Sequence, residues 1–401
     1  MKVFLTGPSG FVGTEVARLL LLQGHSVVGL ARSEARAEGL RKSGIEPVLG
    51  ELCHFDVLAR AAATADAVIH TAFFHTGDYE EGSKLACTAV RAITEALTGS
   101  GKPFIMSSGT DILGDTGLAP VSEEFPVDPH HSTRPTSRVL CEREALVAAG
   151  KGVRAMVLRL PPYVWGNGDG FCPLLHIQAA HKLGRAYYIL PGTQKTCGVH
   201  VEDLARLYLL ALEKGTAGSI YHATASSDYT AREVGEAVGA NAGVPAEGIS
   251  QEDAHRRSIW PDWAIDLFAL NNAASSAKAQ KDLGWTNLKT GMLQDIAANS
   301  QAELVCPSWE RHRMSRSLRG LAQTASRALI STQHASGHQQ QRFAGDLPYK
   351  ANKYVESWGT NREHIELTYK FDRDNLWIIA KWVVAFPTLL PHAEAQTSAS
   401  V

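Results

Sequence analysis

Lys2-Val3-Phe4-Leu5-Thr6-Gly7-Pro8-Ser9-Gly10-Phe11-Val12-Gly13 stands at the head of the chain and decides the reading of its fold. Lys2 to Thr6 is a short apolar run with the length of a buried strand, and Gly7 to Gly13 is a glycine-punctuated turn. Helical spacing begins inside that turn, with Val12, Val16, Leu19 and Leu20 on one face and a stop at Gly24. The alternation then repeats. Strands are expected at 25–31, 45–49, 67–72 and 103–107, separated by helices at 33–43, 55–63 and 82–97. Strands alternating with helices build a parallel sheet covered on both faces, so the fold class is α/β, a doubly wound parallel sheet over about residues 1–160.

The composition narrows the rest. The 401 residues are too many for one small module; 44% are hydrophobic and 20% charged, which excludes wholesale disorder. Thirty-nine basic against 41 acidic side chains leave a net charge of −2, so nothing favours nucleic acid or an anionic membrane. Six cysteines, at 53, 87, 141, 172, 197 and 306, are scattered without paired spacing. That argues against a metal site and a disulfide scaffold, and for a reducing compartment such as the cytoplasm. The start of the chain does not read as a secretory signal.

In doubly wound sheets, ligands sit outside the carboxyl ends of the strands, where the glycine turn lies. Gly7 permits the tight turn, Gly10 lets the backbone approach a pyrophosphate, and Gly13 lets the helix pack close to the strand. The helix start offers free N–H groups to phosphate. The second strand ends in Leu30-Ala31-Arg32-Ser33, with Arg36 a turn further on. An acidic residue there would hold ribose hydroxyls, whereas a guanidinium and a hydroxyl suit a 2′-phosphate. NADP(H) is therefore expected ahead of NAD(H), with Arg32 and Ser33 as its readers.

Thr6 to Gly13, including Ser9, Phe11 and Val12, resembles the cofactor loop of extended and atypical short-chain dehydrogenases/reductases, the NAD-dependent epimerase/dehydratase-like family. Further segments resemble the same family in order. Gly50-Glu51-Leu52 with Asp56 is similar to its adenine-side segment, and His70-Thr71-Ala72-Phe73 to its cofactor-lining strand end. Ile105 to Thr110 resembles the strand bearing the active-site Ser/Thr, which implies a substrate-orienting role for Ser107 or Ser108. Arg159-Leu160-Pro161-Pro162-Tyr163-Val164-Trp165-Gly166 is similar to the segment passing the nicotinamide, and Val199 to Ala205 to a further signature. Ser275-Ser276 with Leu283-Gly284-Trp285 resembles the closing motif, so the likeness covers about residues 1–300.

The resemblance breaks at the chemistry. The family's Tyr-x-x-x-Lys pair, which supplies the proton and holds the ribose, falls on Arg134 and Arg138. Arg134 stays charged and cannot shuttle a proton, although Arg138 can still hold the ribose as a fixed cation. Tyr163 could donate the proton or simply wall the pocket, and His70 and His75 titrate in the useful range or serve structure.

Residues 161–302 are expected to form a substrate lobe, with a returning segment near 195–225 belonging to the dinucleotide domain. Trp165, Tyr187, Tyr188, Trp260, Trp263 and Phe268 either wall an apolar pocket there or form the lobe's core. Leu204 to Leu212 reads as an amphipathic helix packed on the sheet.

Beyond lies a different composition. Residues 311–345 hold six Arg and no Asp or Glu, as a mitochondrial presequence or a basic linker (303–345) would. In the tail, 346–401, the run Leu376 to Leu390 has fifteen residues with one Lys, short of the roughly 20 that span a bilayer. It could make a marginal membrane helix or lie in the interface, and the tail weakly resembles a small accessory subunit of mitochondrial respiratory complex I. Two joined coding units, by fusion or by a gene model that read through a boundary, would explain the shift.

The expectation is an NADP(H)-binding oxidoreductase-like protein acting on a carbonyl/alcohol pair of a small molecule. Its rival is a non-catalytic NADP(H)-binding regulator. Membrane contact is expected only through the tail, with mitochondrial placement only if that tail functions. Val139, Leu140 and Leu146 offer a homodimer face.

Overall fold

The computed structural model describes residues 1–73, 79–128, 136–167 and 170–298. Its first part runs β1 (Lys2–Thr6), α1 (Phe11–Leu22), β2 (Ser26–Ala31), α2 (Glu34–Lys42), β3 (Glu46–Leu49), α3 (Phe55–Thr64), β4 (Ala67–His70), α4 (Tyr79–Ala96) and β5 (Pro103–Gly109). Then follow α5 (Thr136–Ala149), β6 (Arg154–Leu160), β7 (Tyr163–Trp165), α6 (Phe171–Leu183), β8 (Ala186–Ile189), β9 (Lys195–His200) and α7 (Val201–Lys214). The last elements are β10 (Ile220–His222), β11 (Ser226–Thr230), α8 (Ala231–Ala242), β12 (Ala246–Ile249), α9 (Gln251–Arg256), α10 (Asp262–Phe268), α11 (Ala277–Leu283) and α12 (Met292–Ala298).

Seven strands form one parallel sheet in the order β10-β6-β5-β4-β1-β2-β3, the doubly wound α/β arrangement expected from the sequence. The winding direction reverses between β1 and β4, which opens a crevice at their carboxyl ends. One face of the sheet buries Val3, Leu5 and Ile105 against α1 and α7 through Val16, Leu20, Leu204 and Tyr208. The other face buries Phe4, Val68, Phe104 and Met106 against α3, α4 and α5 through Leu58, Val90 and Cys141. This in-and-out alternation along each strand is why the two helical layers both find apolar partners.

Two strand ends differ from the sequence reading. β4 stops at His70 rather than Ala72, because the Thr71 hydroxyl turns back and donates to the Thr6 carbonyl at 2.7 Å. β5 runs on to Gly109 rather than Ser107, because its ladder with β6 continues to the Gly109–Leu160 pair. The serines at 107 and 108 therefore sit inside a ladder that outreaches its β4 neighbour.

Outside the central sheet, β11-β9-β7 and β12-β8 make two small sheets. They pack with α6, α8, α10 and α12 around a separate apolar cluster containing Tyr163, Trp165, Tyr187, Trp260 and Phe268. Helix α7 is amphipathic as expected, with Leu204, Leu207, Tyr208 and Ala211 buried. Of the three residues proposed for a dimer face, Leu140 is 45% exposed but Val139 turns inward at 6%. Leu146 is packed against the α4–α5 layer.

Among the described residues no helix is long and apolar enough to cross a membrane, and no group of His, Cys, Asp and Glu could hold a metal ion. The basic segment 303–345, the marginal helix 376–390, Arg134 and His75 lie outside the described residues.

Candidate active site

The glycine turn is built by exclusion. Gly7 adopts φ +72°, and a Cβ there would stand 2.9 Å from Thr71 Oγ1 and 3.0 Å from the Ala72 nitrogen. A Cβ on Gly13 would lie 1.9 Å from the Gly7 carbonyl oxygen, so the first turn of α1 rests directly on the loop. Gly10 meets only the Gly7 oxygen, at 3.4 Å, and its outer side is open. It caps α1 without a side-chain hydrogen bond and with no acidic residue in the first turn. Around it Ser9 is exposed, and Phe11 and Val12 are half-buried. A helix start with uncapped N–H groups, no competing carboxylate and an open glycine fits the diphosphate of a dinucleotide.

The rim of the crevice follows. Arg32 is exposed and has no ion pair or hydrogen bond among the described residues. The Ser33 hydroxyl caps α2 by accepting from the Arg36 N–H at 3.4 Å. Glu51 is half-buried, its N–H donating to His54 Nδ1 at 3.0 Å, and Leu52 is buried at 7% exposure. Asp56 is paired with Arg60 at 2.8 Å on α3. On the far side, the Ala72 N–H donates to Thr6 Oγ1 at 3.3 Å, which ties the Thr71-Ala72 segment to β1. His70 is fully enclosed, its Nδ1 2.9 Å from Thr6 Oγ1. Burial, aided by the Arg138 charge, lowers its pKa to about 3, so near neutrality the ring is uncharged and does not act as an imidazolium acid.

The two serines of β5 have different surroundings. Ser107 Oγ lies 2.5 Å from the hydroxyl of Tyr208, which reaches it from α7. Ser108 is 4% exposed, and its hydroxyl has no partner among the described residues. Arg138, the residue at the family's Lys position, donates from its guanidinium to the Ser107 carbonyl at 2.6 Å and stacks 4.9 Å from the Phe73 ring centroid. The structure thus brings Ser107, Arg138 and Phe73 together and adds Tyr208. The sequence reading placed Tyr208 only within the amphipathic run Leu204 to Leu212; no spacing rule links it to Ser107, 101 residues away.

Just beyond, Asp111 lies in the 3-10 turn Thr110–Leu113. Its Oδ1 stands 2.0 Å from where a Gly109 Cβ would be, so the absent side chain at 109 makes room for a carboxylate that is 8% exposed.

Tyr163 is placed elsewhere. It is 3% exposed, and its hydroxyl lies 2.9 Å from His176 Nε2 within the small-lobe aromatic cluster. Pro161 is buried just after β6, and Pro162 next to it lines a small cleft with Tyr163, His176 and Phe268. Burial raises the Tyr163 phenol well above its ordinary pKa, and it raises Tyr208 too. Neither phenol gives up its proton readily.

A buried ion pair braces this region. Arg159 donates to both oxygens of Glu142, at 2.8 Å from its Nη2 to Oε2, and both side chains are 4% exposed. His222 Nε2 stands 3.5 Å from Arg159, and the His222 N–H donates to Glu123 at 2.8 Å.

Comparison with known proteins adds a family. The model of the NAD dependent epimerase/dehydratase family matches residues 3–223. An uncharacterized protein of Schizosaccharomyces pombe is 39% identical over 303 residues, 75% of this chain and 99% of that one. A 4-hydroxy-2-methyl-3-oxo-4-farnesyl-3,4-dihydroquinoline-1-oxide ketoreductase of Stigmatella aurantiaca is 28% identical, over 56% of this chain and 68% of its own. Among solved structures, dTDP-glucose 4,6-dehydratase of Bacillus anthracis in complex with NAD superposes with a TM-score of 0.59 at 16% identity. That superposition covers 75% of this chain and 96% of the dehydratase.

Proposed function

Because the chain belongs to the NAD-dependent epimerase/dehydratase family, we propose that it is an NADP(H)-dependent oxidoreductase acting on a carbonyl/alcohol pair of a small molecule. The observation that carries this reading is the Gly7–Gly13 contact, which leaves the start of α1 uncapped and open at Gly10. Gly7, Ser9, Gly10, Phe11, Val12 and Gly13 bind the diphosphate. Leu52 and Glu51 flank the adenine, and Thr71, Ala72 and Pro161 line the nicotinamide half. Arg32 selects the 2′-phosphate, supported by its exposure and its freedom from any partner among the described residues. The dinucleotide, when bound, accepts or delivers hydride. Ser107 orients the substrate oxygen, its hydroxyl fixed by Tyr208, while Arg138 offers a fixed positive charge beside it. The small-molecule relatives, including a ketoreductase, support this reaction class. The protein works in the cytoplasm, in line with its scattered cysteines.

One observation favours a second reading, a cofactor-binding regulator without turnover. Tyr208 beside Ser107 and Tyr163 in the small lobe are both buried, with hydroxyls already engaged by Ser107 and His176. Titration with NADPH and NADH, followed by a panel of aldehydes and ketones, separates the two. Tight NADPH binding with oxidation on at least one carbonyl supports the oxidoreductase; tight binding with no oxidation on any supports the regulator.

A further inference from the structure

Helices α4 and α5 pack side by side in the apolar layer that holds Ala86, Val90, Cys141 and Ala145, with Cys87 at its edge. Near the surface, Arg91 of α4 reaches Glu144 of α5 at 2.5 Å, which sets the register of the two helices. Cys87 lies one turn before Arg91, and Cys141 one turn before Glu144, so the two cysteines come opposite each other. Their thiols are hydrogen-bonded to one another, and both are free of any disulfide. Cys87 is half-buried and Cys141 fully buried. Neither takes part in the cofactor crevice or in the Ser107 contacts.

The two sulfurs differ in character. The hydrogen bond from the Cys141 thiol lowers the pKa of Cys87, and the Arg91 charge adds to this against burial and Glu144. The same bond, together with burial, raises Cys141. Cys87 is therefore the sulfur that reaches the thiolate, with an edge toward solvent, and Cys141 is the protonated one behind it. A partly exposed thiolate beside a second thiol is the arrangement that oxidants attack. Disulfide geometry is demanding, and two thiols that already touch across packed helices come nearest to meeting it.

We propose that Cys87 is a site of oxidation by hydroperoxides, and that Cys141 resolves it into a reversible disulfide joining α4 to α5. The Cys87 thiolate attacks one peroxide oxygen and the O–O bond breaks. Cys87 becomes a sulfenic acid, and an alcohol leaves, or water where the oxidant is hydrogen peroxide. The Cys141 sulfur then attacks the Cys87 sulfur, the S–O bond breaks, and the departing hydroxide takes the Cys141 proton as water. Two thiols thus lose two electrons, which reduce the peroxide, and a dithiol restores both. In a reducing compartment the bond is transient. Arg138, one turn before Cys141, holds the Ser107 carbonyl, so the bond tethers the helix that braces the end of β5.

The test uses the full-length chain and depends on neither reading of the nucleotide crevice. The protein is treated with rising hydrogen peroxide until the exposed Cys53 is oxidised, then alkylated and digested with trypsin without reductant. Cleavage after Lys84, Arg91, Arg138 and Arg143 releases Leu85–Arg91 and Val139–Arg143, which carry one cysteine each. They are expected as one linked species, two hydrogens lighter than their sum, that is lost on adding dithiothreitol. Cys141→Ala should leave Cys87 as a sulfenic acid captured by dimedone, and Cys87→Ala should leave Cys141 unoxidised. The wild-type digest decides the matter even where a variant folds poorly. Absence of the linked species once Cys53 is oxidised, or linkage through other cysteines in its place, overturns the proposal. Oxidation of Cys141 in the Cys87→Ala protein overturns it too, because the attacking sulfur is then the wrong one.

Discussion

The hydroxyls of Tyr208 and Ser107 meet at 2.5 Å, across the contact between α7 and the carboxyl end of β5. Tyr208 is fully buried, and burial keeps its phenol protonated through the working pH range. A phenol that donates to Ser107 leaves the serine's own proton free to point at a substrate oxygen. Tyr208→Phe should therefore lower kcat/KM about 5- to 10-fold, the worth of one net hydrogen bond. Ser107→Ala should do at least as much, and the double variant no more than Ser107→Ala alone. Additive losses in a double-mutant cycle would show that the two hydroxyls act apart.

Gly13→Ala tests the loop. The added methyl meets the Gly7 carbonyl oxygen at 1.9 Å, and neither backbone can give way cheaply. The variant should lose about 1–3 kcal/mol of stability in denaturant titration and bind neither NADPH nor NADH. Gly10→Ala meets its neighbour only at 3.4 Å, so it should stay near native stability and still lose cofactor. A stable Gly10→Ala protein with wild-type affinity would refute the diphosphate placement.

Arg32→Asp tests cofactor choice. It removes an exposed guanidinium and, on the proposed reading, sets a carboxylate against the 2′-phosphate. A charged hydrogen bond contributes about 1.5–3 kcal/mol, so NADPH should weaken ~10- to 100-fold. NADH should change far less. Equal effects on both, read by fluorescence titration, mean that Arg32 does not select between them.

Acid should unfold this protein early. His70, His176 and His222 are each buried as neutral rings, with pKa values lowered from 6.5 to about 3 by burial, Arg138 adding to the effect at His70 and Arg159 at His222. Between these values the unfolded chain binds more protons than the native one, so stability is full above pH 6.5 and falls as pH drops toward 3. Each ring contributes a slope of about 1.4 kcal/mol per pH unit. Melting temperatures from pH 8 to 4.5 should be level at first and then decline steeply. His176→Phe should shallow the decline; an unchanged curve would mean that this histidine does not drive it.

How much of this was legible in the sequence depends on the range of the interaction. Thr6 to Gly13 announced the fold and the tight glycine turn, because glycine spacing is set by contacts within a dozen residues. The β1-to-β4 closure was half visible: Thr71 was expected at the cofactor edge, but its hydrogen bond to the Thr6 carbonyl shortens the strand in a way no periodicity reveals. Tyr208 and His176 were invisible as site residues. Their partners, Ser107 and Tyr163, lie on strands that only tertiary packing brings to α7 and α6. Tyr163 shows the converse, since its position beside a cofactor-like segment suggested a proton donor while its ring faces the small-lobe cluster. The aromatic residues of that lobe were read as pocket or core, and the structure uses Phe268 and Tyr163 as both.

β10 is three residues long, yet it lies at the edge of the central sheet, hydrogen-bonded to β6, after the chain has already passed through β7 to β9. The central sheet is consequently closed at that edge by a strand that returns from the small lobe. A gene cut after Leu160 would encode β1 to β6 but strip away α7 and leave a bare row of backbone donors and acceptors along β6. Such an exposed edge is a template for pairing with another chain. Any exchange of the small lobe must therefore keep β10 in register with β6, through the Ile220–Val157 to His222–Arg159 pairs.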